Sequence, residues 1–140
     1  AMAAGLSIMA QQLDAFQTAF EHTVRELVCA DDLAQTYLTD GSLSAADITL
    51  AQAQHLAMQV WGQGFAPPSF TDEFAVIRQQ AMGVNHKKVW LQKEGCEFEA
   101  VFWRCTDEFP ERILTVYRPV ANEWRNNIEL QLYIDYWEAA

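Results

Sequence analysis

Trp61-Gly62-Gln63-Gly64-Phe65-Ala66-Pro67-Pro68-Ser69-Phe70 separates two kinds of pattern. Ahead of it, apolar residues recur every three or four positions, the period of a helix face. Beyond it, they alternate or run in short β-branched and aromatic blocks, the period of strands. Two glycines and two prolines in ten residues exclude a regular element, because Gly opens backbone angles closed to other residues and Pro fixes φ and removes a donor. Trp61, Phe65 and Phe70 are too apolar for a free linker. The stretch 61–70 therefore reads as an ordered elbow pinning a helical piece to a β piece, or as an ordinary loop carrying a few core aromatics.

Upstream, in residues 1–60, Leu6, Met9, Leu13, Phe16, Phe20, Val24 and Leu27 form one apolar helix stripe. Ser7 is its expected N-cap, and Asp31-Asp32 its stop. Residues 33–43, with Tyr37 and Leu38 ahead of Asp40-Gly41, suit a short extended segment ending in a turn. Ser44 and Asp47 have capping-box spacing and predict a second helix from Ile48 to about Gln59. His55, near its apolar face, reads as structural rather than as a ligand.

Downstream, in residues 71–140, five strands are expected: Phe74–Arg78, Lys87–Gln92, Glu97–Arg104, Arg112–Arg118 and one over Ile128–Tyr136. Gly83-Val84-Asn85 and Glu94-Gly95 supply turns, Pro119 is expected to end the fourth ladder, and Asn122–Asn127 to form a polar turn. In the last strand Ile128, Leu130, Leu132, Ile134 and Tyr136 occupy one parity. The fold class is α+β: a helical segment followed by a five-stranded antiparallel barrel like the oligonucleotide-binding (OB) fold. The usual helix between its third and fourth strands has little room, and a generic five-stranded barrel fits the same pattern.

The chain has 140 residues, 51% of them hydrophobic, and a net charge of −10. Residues 1–73 carry one base and nine acids, residues 74–126 eight bases and seven acids, and residues 127–140 three acids alone. Such a chain is a poor general polyanion binder, so any nucleic-acid surface is expected to be local and in the β half. Cys29, Cys96 and Cys105 lack metal or disulfide spacing, and His22, His55 and His86 are scattered. No apolar run suits a membrane span and no leader pattern is present, which predicts a cytoplasmic protein with reduced thiols. Ala1 preceding Met2 reads as an added residue or as a cut from a longer chain.

Catalytic and metal-binding constellations are absent from the pattern: there is no phosphate-cradling GxxxxGK, no GxSxG and no His-x-x-x-His. Glu97 and Glu99 share a strand face, as a paired-carboxylate site or as a solvated wall. The more suggestive set is basic and aromatic. Arg78, His86, Lys87, Lys88, Trp90, Trp103, Arg118 and Arg125 are the candidate nucleic-acid-binding residues, and Lys93, Arg104, Tyr117 and Trp124 share their half. Aromatics in a basic groove stack single-stranded bases; the same rings also suit a barrel core. Lys87-Lys88 is the strongest electrostatic candidate, because adjacent strand residues cannot both be buried.

The elbow, Asp40-Gly41-Ser42-Leu43-Ser44, Gly83 through His86-Lys87-Lys88, Asn122-Glu123-Trp124-Arg125 and Leu130-Gln131-Leu132 together resemble the C-terminal part of the bacterial RecJ-type single-stranded-DNA-specific exonucleases. Ala1–Leu6 is similar to the segment after that family's Gly-Gly-His motif. Val60 stands for the family's Pro, Pro68 for Glu, Asn126 for Gly, and Lys87 for an apolar residue. The resemblance implies the end of a DHH-associated domain (1–60) joined by the elbow to an OB barrel (71–140), without the catalytic DHH domain. The parent would be a Mn²⁺- or Mg²⁺-dependent 5′-to-3′ exonuclease of recombination and mismatch repair. This piece itself would carry no cofactor and no catalysis. It implies a region that grips single-stranded DNA for the nuclease core. Docking of the acidic tail of single-stranded-DNA-binding protein, or a purely structural brace, are the other readings.

Overall fold

The computed structural model of the chain describes residues 5–29, 32 and 35–140. They fall into two compact units, one running up to Thr36 and the other Tyr37–Ala140. In the first, a 3₁₀ turn at Ala10–Gln12 leads into helix α1, Leu13–Leu27. Met9 rather than Ser7 holds the N-cap position of that turn and no side chain caps it, so Ser7 does not start the helix. Phe16 stacks on Phe20 at 5.8 Å, and the stripe of Leu13, Phe16, Phe20 and Leu27 is exposed. The Cys29 thiol and backbone N–H both donate to Asp32, holding that carboxyl below its usual range; Asp31 lies outside the described residues.

In the second unit, helix α2 is Leu50–Ala57, two residues later than the capping-box spacing suggests. Thr49 is its N-cap, its hydroxyl accepting from the Gln52 N–H, whereas the Ser44 hydroxyl bonds Asp47 to close the preceding turn. Within residues 61–70, Gly62 and Phe65 exchange both backbone bonds, the Trp61 indole N–H donates to the Leu56 carbonyl at 2.9 Å, and Trp61 stacks on Phe65. Phe65 itself stays exposed, and Phe70 already belongs to the first strand.

Among the described residues five strands close a barrel in the order β1-β2-β3-β5-β4: β1 Phe70–Met82, β2 His86–Lys93, β3 Cys96–Phe102, β4 Arg112–Trp124 and β5 Asn127–Ala139. The barrel is not wholly antiparallel, because β3 and β5 pair in parallel, with Ala100 opposite Leu132, Val101 opposite Tyr133 and Phe102 opposite Ile134. β4 runs straight through Pro119 to Trp124, so the turn into β5 is only Arg125-Asn126. Beyond Tyr117, β4 has lost its pairing with β1, and such an edge tolerates a residue without an N–H.

Phe74, Val89, Leu91, Ala100, Ile113, Tyr117 and Leu132 fill the interior, with Phe74 edge-on to both Tyr117 and Phe98. No helix joins β3 to β4; instead Phe109 of that loop packs on Phe102 and Trp137 and plugs the end of the barrel where β2 begins. At the other end of β2, Ala45 and Ile48 join the core. There Lys93 reaches Asp72 and the Leu43 carbonyl, and Glu94 accepts from the Ala45 N–H at 3.0 Å.

Candidate nucleic-acid interface

Strand alternation decides which candidates meet on one surface. In β2, Lys87, Val89, Leu91 and Lys93 point inward, leaving His86, Lys88 and Trp90 outside. Lys87 is therefore not a surface cation. It is 5% exposed, and its ammonium donates to Gln79 (3.2 Å), the Asp107 carbonyl and Glu108 (2.7 Å), tying the β3–β4 loop to the barrel. Gln79 completes the tie, accepting from the Phe109 N–H and donating to its carbonyl. The apolar residue of the family pattern at this position was the signal for inward parity.

Arg78 reaches the outer face through a bulge. Val76 pairs with Leu91 but Arg78 pairs with Trp90, so Ile77 is the extra residue in β1. Without it Arg78 would share the inward parity of Phe74 and Val76. The bulge instead lays its guanidinium 3.5 Å from the centroid of the Trp90 ring. Arg78, Gln80, Met82, Lys88 and Trp90 line a shallow cleft there. Next on the wall, the Lys88 ammonium contacts Glu99 at 2.7 Å and lies 5.7 Å from the Trp90 ring; Glu99 also accepts from the Gln131 amide.

Trp103, 48% exposed just past β3, stands edge-on between His86 (4.9 Å) and Tyr133 (5.7 Å). His86 acts as a support, since its Nδ1 accepts from the Arg104 N–H at 3.0 Å. Tyr133 pairs with Arg118 across β4–β5. Arg118 makes two 2.8 Å bonds to Asp135, and this pairing raises its pKa. The β4–β5 turn carries Arg125 with its guanidinium 5.5 Å from the Trp124 ring, and Trp124 is 68% exposed. Arg125 and Asn126 both have positive φ (50° and 65°), the backbone of a tight two-residue hairpin turn.

The structure thus brings Arg78, Lys88, Trp90, Trp103 and, through Tyr133, Arg118 along the outer wall, places Arg125 at a hairpin tip, and removes Lys87 to the interior. Tyr133 belongs with this surface although the candidate set did not include it, its outward parity on β5 being the signal, and the buried Gln131 supports Glu99 from beneath. Lys88 and Arg118 are neutralised in place, whereas Arg78, Arg104 and Arg125 have no carboxylate partner among the described residues. The wall can stack planar rings and pair with anions. Burial pushes the Cys105 thiol up, away from the reactive thiolate.

The RecJ OB domain family matches residues 39–136. The single-stranded-DNA-specific exonuclease RecJ of Haemophilus influenzae is 34% identical, aligned over 99% of this chain and 26% of its own length. The RecJ of Escherichia coli K12 is 32% identical over 96% of this chain and 25% of its own. The chain therefore spans about a quarter of the length of these curated relatives. RecJ from Thermus thermophilus, solved in complex with Mg²⁺ and with Mn²⁺, superposes with TM-scores of 0.74 and 0.75. Those superpositions cover 96% of this chain and 21% and 20% of the solved chains, and at 16% and 14% identity they show a shared fold. Among the described residues no group of three or more His, Cys, Asp or Glu is placed to hold a metal ion. Nor is any helix among them long and apolar enough to cross a membrane. The family match over residues 39–136, from the segment before α2 into β5, and the identity to the curated relatives agree: this chain belongs to the RecJ OB-domain family.

Proposed function

We propose that the outer wall of β1, β2, β3 and β5 binds single-stranded DNA, as a non-catalytic region that guides the strand for a nuclease core in a longer protein. The observation that carries this is the Arg78 guanidinium stacked on Trp90, with Trp103 exposed and Tyr133 half-buried against it further along the same wall. Guanidinium planes and indole rings both accept bases by stacking, without sequence preference. Arg78, Arg104 and Arg125 supply the unpaired charge for phosphates, and Trp124 at the hairpin tip adds a ring beyond the wall. OB folds use this region and the flanking β1–β2 and β4–β5 loops for oligonucleotides.

Fluorescence anisotropy of a labelled strand of ~20 nucleotides, enough to span one barrel, tests the proposal at low and moderate salt. Salt-sensitive binding is expected, weakened by ~1–3 kcal/mol in Trp90→Ala and with a flatter salt dependence in Arg78→Ala. Absence of binding at low salt rejects it.

A second reading is favoured by one feature. Ala53, Leu56, Trp61, Pro68 and Pro119 line an apolar groove to which Arg118 also contributes. Such a groove suits an acidic, Phe-ended peptide like the tail of single-stranded-DNA-binding protein. Peptide binding without oligonucleotide binding would favour docking over strand guidance.

A further inference from the structure

We infer that Glu99 is a built-in competitor for phosphate, so that the central lysine of the wall, Lys88, is held in reserve and the strand is gripped chiefly by stacking. This rests on the binding wall proposed above and specifies how its charge is regulated. Lys88 is the cation that β2 places beside Trp90 on the outer face, yet its ammonium is engaged by Glu99 at 2.7 Å. Glu99 is itself steadied by the amide of Gln131 from β5, so three strands hold the carboxylate against the lysine. Both partners are half-buried, with 31% and 23% of their side chains exposed, which limits screening by solvent. Arg78, stacked on the same ring, has no such counter-ion among the described residues. The wall therefore pairs one available cation with one neutralised cation around a single aromatic platform.

A phosphate can take Lys88 only by displacing Glu99. The freed carboxylate then gathers a cation from solution, cancelling much of the counter-ion release that an ordinary lysine–phosphate contact gives. Each ordinary contact steepens the fall of log K with log salt by about 0.7 on a single strand. Lys88 should contribute little of that slope while Glu99 is present.

The experiment is a salt titration of oligonucleotide anisotropy for the wild type, Glu99→Gln, Glu97→Gln and the Lys88→Ala/Glu99→Gln double variant. Glu97 is an exposed acid two positions away on the same strand parity and controls for the loss of one negative charge. Glu99→Gln is expected to bind about three- to fivefold tighter at low salt with a slope steeper by about 0.7, and the double variant to lose the steepening. Glu97→Gln is expected to leave the slope as it was. Wild-type binding with an unchanged slope in Glu99→Gln overturns this inference alone, as does an equal gain in Glu97→Gln. Binding by neither the wild type nor Glu99→Gln overturns the binding wall and this inference together. Binding by Glu99→Gln where the wild type binds nothing overturns both as well, because the wild-type wall is then unable to hold a strand by stacking.

Discussion

Asp72 is a charge inside the barrel wall, and its surroundings show why it stays one. Burial opposes ionisation, but Lys93, the Ser42 hydroxyl, the Tyr117 hydroxyl (2.7 Å) and the Leu43 N–H all bond the carboxylate, and together they hold its pKa below the usual value. The Tyr117 phenol is pushed far up in return, by its own burial and then by the neighbouring carboxylate. A depressed carboxyl binds fewer protons folded than unfolded, so its stabilisation is full above the unfolded value near pH ~4 and is lost as pH falls through the folded value. Asp72→Asn should lower stability by about 3 kcal/mol at neutral pH, because it leaves Lys93 without its buried counter-charge. Urea melts between neutral and acid pH should show that the variant has lost part of the wild type's acid sensitivity. Lys87 is buried as well, and its ammonium donates to Gln79, the Asp107 carbonyl and the largely exposed Glu108, so Lys87→Met should lower stability by about 1–3 kcal/mol. Because the lysine is turned inward, the salt slope of oligonucleotide binding should not move.

At the scale of elements, turns and bulges aim the side chains. Gly95 follows Glu94 in the β2–β3 hairpin and has φ of 82°, so Gly95→Ala should destabilise the barrel by about 1–2 kcal/mol in a thermal melt. Much of the fold could be read from the chain because its signals are local: alternation in the last strand, Glu94-Gly95 as a hairpin turn, and the helical period of α1. What could not be read was where alternation slips. Val116 pairs with Tyr136 and Tyr117 with Ile134, so Asp135 is an extra residue in β5. Tyr136 consequently faces out, and Trp137 turns toward Phe109. The bulge at Ile77 hides the Arg78–Trp90 stack from any pattern in the same way, because its register depends on a partner strand. The candidate site was legible as a set of residue types, while its division into inside and outside was set by these two irregularities and by the inward parity of Lys87.

For the whole molecule, the unit Tyr37–Ala140 contains its own core, including Ala45 and Ile48 ahead of the strands. A chain beginning at Tyr37 should therefore melt in one cooperative transition at the temperature of the full chain's barrel transition, as followed by circular dichroism of the β signal. The residues of α1 bury almost none of their apolar stripe, and a helix of 15 residues is marginal in water by itself, so a peptide of residues 1–36 should be largely unfolded. The closure of the barrel sets a different property. β3 meets β5 along its shortest pairing, between positions more than thirty residues apart in sequence. Loop closure of that length is slow, so the seam should zip late in folding, and it is also the cheapest place for the native barrel to come apart. Amides at Val101 and Tyr133 should then exchange with deuterium through a partial opening that leaves the β1–β2 and β4–β5 hairpins protected. Because Tyr133 sits on that seam with Trp103 packed against it, a strand stacked across both rings would act as a staple, slowing exchange there more than anywhere else in the protein.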